Sequence, residues 1–249
     1  MPDMTNNGLR NPLNAALATS SLFRELAQLG FEAQASSDMQ QMHVAKRAAR
    51  DMPVAPMHDA NVCEFGSNRA YWLSLIDHAG KVCGLQAFRC DYIDTSLADW
   101  CAPYMIGVYM RRQELMVPSH ARPPRDSISE RLRGRLVYHG EIWVDKQVRN
   151  RRVFEAFTRL GILIALIKWN PDAVWGLANS QMAGHGHVGR IGYTTIERGF
   201  LRWEWASEGI DPVEYLCVID RNGLEQIVDE MMTTKVESQQ PIRAPQHSL

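Results

Sequence analysis

The stretch from Leu136 to Ala178 changes its hydrophobic period twice, from strand to helix and back, and no other feature of the chain limits the fold so tightly. Leu136 to Val144 is rich in β-formers. In an extended strand, His139, Glu141, Trp143 and Asp145 share one face, and Tyr138, Gly140, Ile142 and Val144 the other. Phe154, Phe157, Leu160, Ile164 and Ile167 then recur at helical spacing, predicting a long amphipathic helix that ends near Trp169, with Asn170-Pro171 as its stop. Ala173 to Ala178 reads as a short buried strand, and Asn179 and Ser180 suit the N-cap of a following helix. Thr194 to Ile196 and Phe200 to Trp205 flank a turn at Gly199. Glu214 to Ile219 forms a last strand before the polar turn Asp220-Arg221-Asn222-Gly223. This order predicts an α/β (α+β) fold with a mixed central sheet flanked by helices.

The rest of the chain divides around that unit. Residues 1–60 carry two helical signals, Ser20 to Leu29 stopped by Gly30, and a second from Ser37, whose Gln40 completes an S-x-x-Q capping box. Two prolines between Met52 and Pro56 close this segment, which reads as an N-terminal helical accessory arm. The main domain then spans 61–232. Tyr71 to Ile76 and Val82 to Phe88, split by Asp77-His78-Ala79-Gly80, predict a β-hairpin; Tyr104 to Met110 adds another strand, and Pro118 to Ser129 an exposed loop. From Thr233 the tail is polar and aperiodic, so 233–249 is expected to be poorly ordered.

Charge and composition exclude several classes of function. The net charge of −1 offers no chain-wide field for nucleic acid or an anionic membrane, and the longest apolar run, Gly161 to Ile167, is too short to cross a bilayer. A cytoplasmic protein without a signal peptide is the expectation. Cys63, Cys83, Cys90, Cys101 and Cys217 lack C-x-x-C spacing, which suggests reduced, packed thiols. Gly184-His185-Gly186-His187-Val188-Gly189 matches G-x-G-x-x-G, but neither a strand directly before it nor a long helix after it supplies the dinucleotide context. His185 and His187 are a weak ligand pair, so no metal is expected.

Arg149, Arg151 and Arg152 concentrate positive charge at the predicted start of the long helix, where the dipole favours an anion and guanidinium groups bind phosphate. The same residues equally suit a solvated helix end paired with Glu155 and its neighbours.

From about Arg135 to Trp205, a third of the chain, the sequence resembles the cofactor-binding half of the GNAT superfamily of acyl-CoA-dependent N-acyltransferases. The family's strand leads into a Q/R-x-x-G-x-G/A turn whose amides hold the CoA pyrophosphate at a helix start. The corresponding residues are Gln147, Val148, Arg149, Asn150, Arg151 and Arg152, with Asn150 and Arg152 where the family has glycine. Asn179 matches an asparagine that contacts the cofactor arm, and Arg190-Ile191-Gly192-Tyr193 resembles the end of the Y-x-x-x-G-F signature, with Val188 at the position of the tyrosine that protonates the leaving thiolate.

The resemblance implies acetyl-CoA or another acyl-CoA as co-substrate and direct attack by the primary amine of a small molecule or peptide. Val144 would border the pantetheine arm; His185, His187 or Tyr193 would stand in for the missing tyrosine; and Glu141, Asp145 or His139 would take the amine proton. Glu141 and Asp145 also have ordinary alternatives, as a cross-strand ion pair and a strand terminus. Two further readings remain open: an acyl carrier protein as donor, as in the acyl-homoserine-lactone synthases of related fold, and a binding or regulatory protein that kept the scaffold.

Overall fold

The computed structural model describes residues 8–66, 68–120, 123–206 and 211–239. Eight strands form one sheet in the order β1-β2-β3-β5-β6-β8-β7-β4. They are β1 (Phe31–Ser36), β2 (Ala70–Asp77), β3 (Val82–Ile93), β4 (Met116–His120), β5 (Gly134–Val144), β6 (Ala173–Ala178), β7 (Thr195–Ala206) and β8 (Val213–Asp220). All neighbours run antiparallel except β5 and β6, whose parallel ladder covers only three pairs, from Leu136↔Ala173 to Tyr138↔Trp175. The mixed sheet flanked by helices is the architecture expected from the order of periods.

One face of the sheet is covered by α1 (Pro12–Gln28), α5 (Arg151–Trp169), α7 (His187–Ile191) and α8 (Arg221–Gln239), around a core that includes Leu22, Phe88, Phe157, Leu163 and Ile219. The other face is covered by α2 (Met39–Arg50) and by α3 (Leu97–Trp100), a π turn (Cys101–Met105) and α4 (Ile106–Tyr109). The short α6 (Ser180–Gly184) follows β6. Helix α5 begins where the Asn150 side chain accepts from the Val153 amide at 2.9 Å, and ends where Asn170 turns left-handed at φ 48°. The β2–β3 turn is held by the Asp77 carboxylate, which accepts from the amides of Ala79 and Lys81.

Several local expectations change. The segment read as an accessory arm supplies α1, which packs on α5, and β1, which extends the sheet by pairing with β2. Its second helix is capped by Asp38, whose carboxylate accepts from the amides of Gln40 and Gln41, instead of by Ser37. Tyr104 to Met110 is helical, because Cys101, Met105, Val108 and Tyr109 are buried at helical spacing. Pro118 lies in β4, and Ser127 and Ser129 are buried, so the stretch read as an exposed loop is partly built into the edge of the sheet. Gly199, at φ 97°, marks a bulge inside the single strand β7, where the register shifts between Arg198 and Leu201. Arg221 opens α8, which runs through Thr233 to Gln239; the remainder of the expected tail, 240–249, lies outside the described residues.

Candidate functional site

The even alternation expected along β5 breaks at Glu141. Leu85 faces Trp143 and Ala87 faces Gly140, so Gln86 opposes two residues, and Glu141 takes the left-handed conformation at φ 59°. The bulge splits the predicted face. His139, Ile142 and Val144 point to the α5 side. Glu141 points to the α2 side, and the Trp143 ring lies beneath Arg50 of α2. The Glu141 carboxylate is buried against Lys46 Nζ at 2.5 Å and accepts from the Ala55 amide at 2.5 Å, so both oxygens hold structural partners.

Beyond Tyr138 the ladder between β5 and β6 ends, and a cleft opens between the two strands and α5, α6 and α7. It holds a cavity of about 310 Å³. Ile142, Val144, Phe154 and Met182 give it an apolar interior, and Arg149, Asn150, Arg151, Glu155, His187 and Arg190 surround its polar side. Arg151 pairs with Glu155 at 2.9 Å, and Arg190 reaches the same carboxylate at 3.4 Å and His187 Nδ1 at 2.7 Å. Burial and the neighbouring Arg190 hold the His187 pKa below its usual value.

A second, much smaller cavity of about 10 Å³ continues inward past Ile142 and Met182 to His139, Gly176 and Tyr193. There His139 Nδ1 lies 2.9 Å from the Tyr193 hydroxyl, and His139 Nε2 lies 3.1 Å from Gln86 Oε1. The imidazole stacks on Phe88 with ring centroids 4.2 Å apart. Burial lowers the His139 pKa to about 3 and pushes that of Tyr193 well up, so both side chains are neutral across the ordinary pH range.

The structure thus gathers Val144, Arg149, Asn150 and Arg151 around one cavity and places Tyr193 at its inner extension. It separates the other candidates. Asp145 follows β5 outside the cavity lining, where the Gln147 amide and Lys81 hold its carboxyl pKa below the usual range. Gln147 is exposed in the turn. Arg152 points to Glu25 of α1 at 2.5 Å, clear of the cavity, because successive helical residues leave the axis in different directions. His185 is exposed beside His187, with ring centroids 6.0 Å apart. Asn179 caps α6 through the Met182 amide. Asn150 acts as an extended cap at φ −118°, without the left-handed backbone that a glycine in its place would permit.

Sequence reading missed Phe154, Met182 and Arg190 as lining residues, and Gln86 altogether. Arg190 had a signal, since it lies in the segment compared with the family signature. Gln86 had none, being one polar residue in a buried strand. Among the described residues, no group of three or more His, Cys, Asp or Glu side chains is placed to hold a metal ion, and no helix is long and apolar enough to cross a membrane.

Solved structures similar to this chain include FeeM, an N-acyl amino acid synthase from uncultured soil microbes, with 11% identity over 82% of this chain and 97% of that one and a TM-score of 0.46. Arabidopsis thaliana NAA60 in complex with acetyl-CoA is 13% identical over 77% of this chain and 99% of its own, with a TM-score of 0.47. The spermidine/spermine N-acetyltransferase SpeG from Vibrio cholerae is 8% identical over 80% and 95%, with a TM-score of 0.45. No family model matches the sequence, and no curated protein matches it.

Proposed function

We propose that the protein is a GNAT-type N-acyltransferase that moves an acyl group, in the simplest case acetyl, from CoA to a primary amine by direct attack. The observation that carries this reading is the cleft beyond the last β5–β6 pair, whose apolar interior opens beside the first turn of α5. A narrow, largely apolar arm suits Ile142, Val144, Phe154 and Met182, and phosphate groups suit Arg149, Arg151 and Arg190 at the polar side. Arg152, which stands where the family has its last glycine, turns to Glu25 and leaves the helix start accessible.

In this reading the amine nitrogen bonds to the acyl carbon as the carbon–sulfur bond breaks, the sulfur leaves as thiolate, and the proton lost by the nitrogen passes to that thiolate through water. Glu141 maintains the bulge through Lys46 and the Ala55 amide, so the polar groups left at the inner end are Tyr193 and His139. Calorimetric titration with acetyl-CoA and with a long-chain acyl-CoA tests the proposal. Acetyl-CoA is expected to bind at micromolar concentration, about tenfold more weakly to Arg149→Glu and with steep salt dependence. Binding of neither thioester would sink the CoA reading.

A further inference from the structure

Gln86 is a fully buried polar side chain on an otherwise apolar stretch of β3, and the reaction sketched above gives it no task. Its orientation follows from its neighbours. The Phe157 carbonyl oxygen, 2.6 Å away, can only accept, so Gln86 presents its NH₂ there and turns Oε1 towards His139 Nε2. An amide oxygen also only accepts, so His139 carries its proton on Nε2. A neutral imidazole has one N–H, which leaves Nδ1 as a bare acceptor, and the Tyr193 hydroxyl beside it must donate. The only proton of the phenol therefore points inward, while its oxygen retains acceptor capacity towards the small cavity that Tyr193 lines.

Two glycines make room for this chain of bonds. A Cβ on Gly161, inside α5, would come within 2.6 Å of Gln86 Oε1 and 2.5 Å of the Phe88 ring. A Cβ on Gly176 of β6 would come within 2.6 Å of the His139 carbonyl oxygen and 3.2 Å of the Tyr193 hydroxyl. A glycine inside a helix is destabilising relative to alanine, and at Gly161 it stands where Gln86 and Phe88 need the space.

We propose that Gln86 is a positioning residue: it locks His139 in the Nε2–H tautomer and thereby makes Tyr193 a hydrogen-bond acceptor at the inner end of the cleft, where it receives an N–H of the attacking amine. That contact orients the amine so that its lone pair is free to face the acyl carbon. The identity of the N–H rests on the acyltransfer reading, whereas the tautomer does not.

The test begins with the unmodified protein labelled with ¹⁵N-histidine. Long-range ¹H–¹⁵N correlation is expected to show a protonated Nε2 and an unprotonated Nδ1 on His139; the opposite tautomer, or an averaged pair, overturns the proposal whatever any variant does. Gln86→Met is then expected to release the tautomer and, with acetyl-CoA and butylamine as substrates, to lower kcat by about ten- to a hundredfold at unchanged KM for the thioester. Tyr193→Phe is expected to lower kcat similarly with the His139 tautomer intact. A released tautomer in Gln86→Met with unchanged kcat sinks the positioning role. Failure of acetyl-CoA to bind the unmodified protein sinks the acyltransfer reading instead and leaves the tautomer result standing.

Discussion

The two ends of the cleft are built on opposite principles. At the mouth, Arg149 and Arg151 are exposed; the Arg151 guanidinium reaches from solvent to a half-buried Glu155, and a pair with one partner in water is worth only about 1 kcal/mol. Those side chains are free to exchange a carboxylate for a ligand anion. At the inner end, Gln86 and His139 are fully buried and Tyr193 nearly so, and every hydrogen bond removed leaves a desolvated partner behind, at about 1–3 kcal/mol. The mouth should therefore respond to salt and to charge reversal with little change in stability, and the inner end to pH and volume with large change in stability.

The largest expected effect is the acid sensitivity of the inner end. A histidine in the unfolded chain titrates near 6.5, and burial lowers the pKa of His139 to about 3. Between those values the unfolded chain holds a proton that the native state lacks, so this contribution is full above pH 6.5 and is lost as pH falls towards 3. It amounts to up to about 5 kcal/mol. Urea unfolding at pH 7 and pH 4 should show a clearly smaller pH difference for His139→Gln than for the unmodified protein. Equal differences in the two would mean that His139 is not the group responsible.

Volume gives the next contrast. Gly176→Ala would drive a Cβ to within 2.6 Å of a backbone oxygen, and a cost of about 3 kcal/mol is expected in the unfolding free energy. Gly189→Ala, in α7 near the mouth, meets nothing within 4 Å and should stabilise by about 0.5 kcal/mol, because alanine loses less backbone entropy on folding. A harmless Gly176→Ala would show that the inner end can relax, and the contrast between the two ends would fail.

How much of this could be read from the sequence depends on whether a residue acts through its neighbours in the chain or through the sheet. The hairpin and the end of α5 were legible because Asp77 and Asn170 act on backbone within a few positions of themselves, whereas Asn150, read only as a substitute for a glycine, caps the start of α5. The split face of β5 was not, because alternation assumes an unbroken ladder, and the bulge at Glu141 reverses which residues share a face. The pairing of His139 with Gln86 and Tyr193 joins two strands and the loop between α7 and β7 and depends on two glycines elsewhere, so no local pattern announces it. The helix at Tyr104 to Met110 was misread for a third reason: a short apolar run has no period to distinguish the two structures.

Arg152 tests the boundary of the mouth with the smallest effect. By sequence position it belongs with Arg149 and Arg151, and it stands where the motif that the sequence resembles has its last glycine. In the fold it reaches away to Glu25 across a partly exposed pair. Breaking that pair with Arg152→Ala should cost less than about 1 kcal/mol in stability. Acetyl-CoA affinity should change by less than about twofold, against the tenfold loss expected for Arg149→Glu. Calorimetry on the two variants side by side separates a continuous basic patch from a directed one. If Arg152→Ala weakens binding as much as Arg149→Glu does, the arginines act together as a field, and the distinction between the cavity-lining cations and the one turned to α1 has no functional meaning.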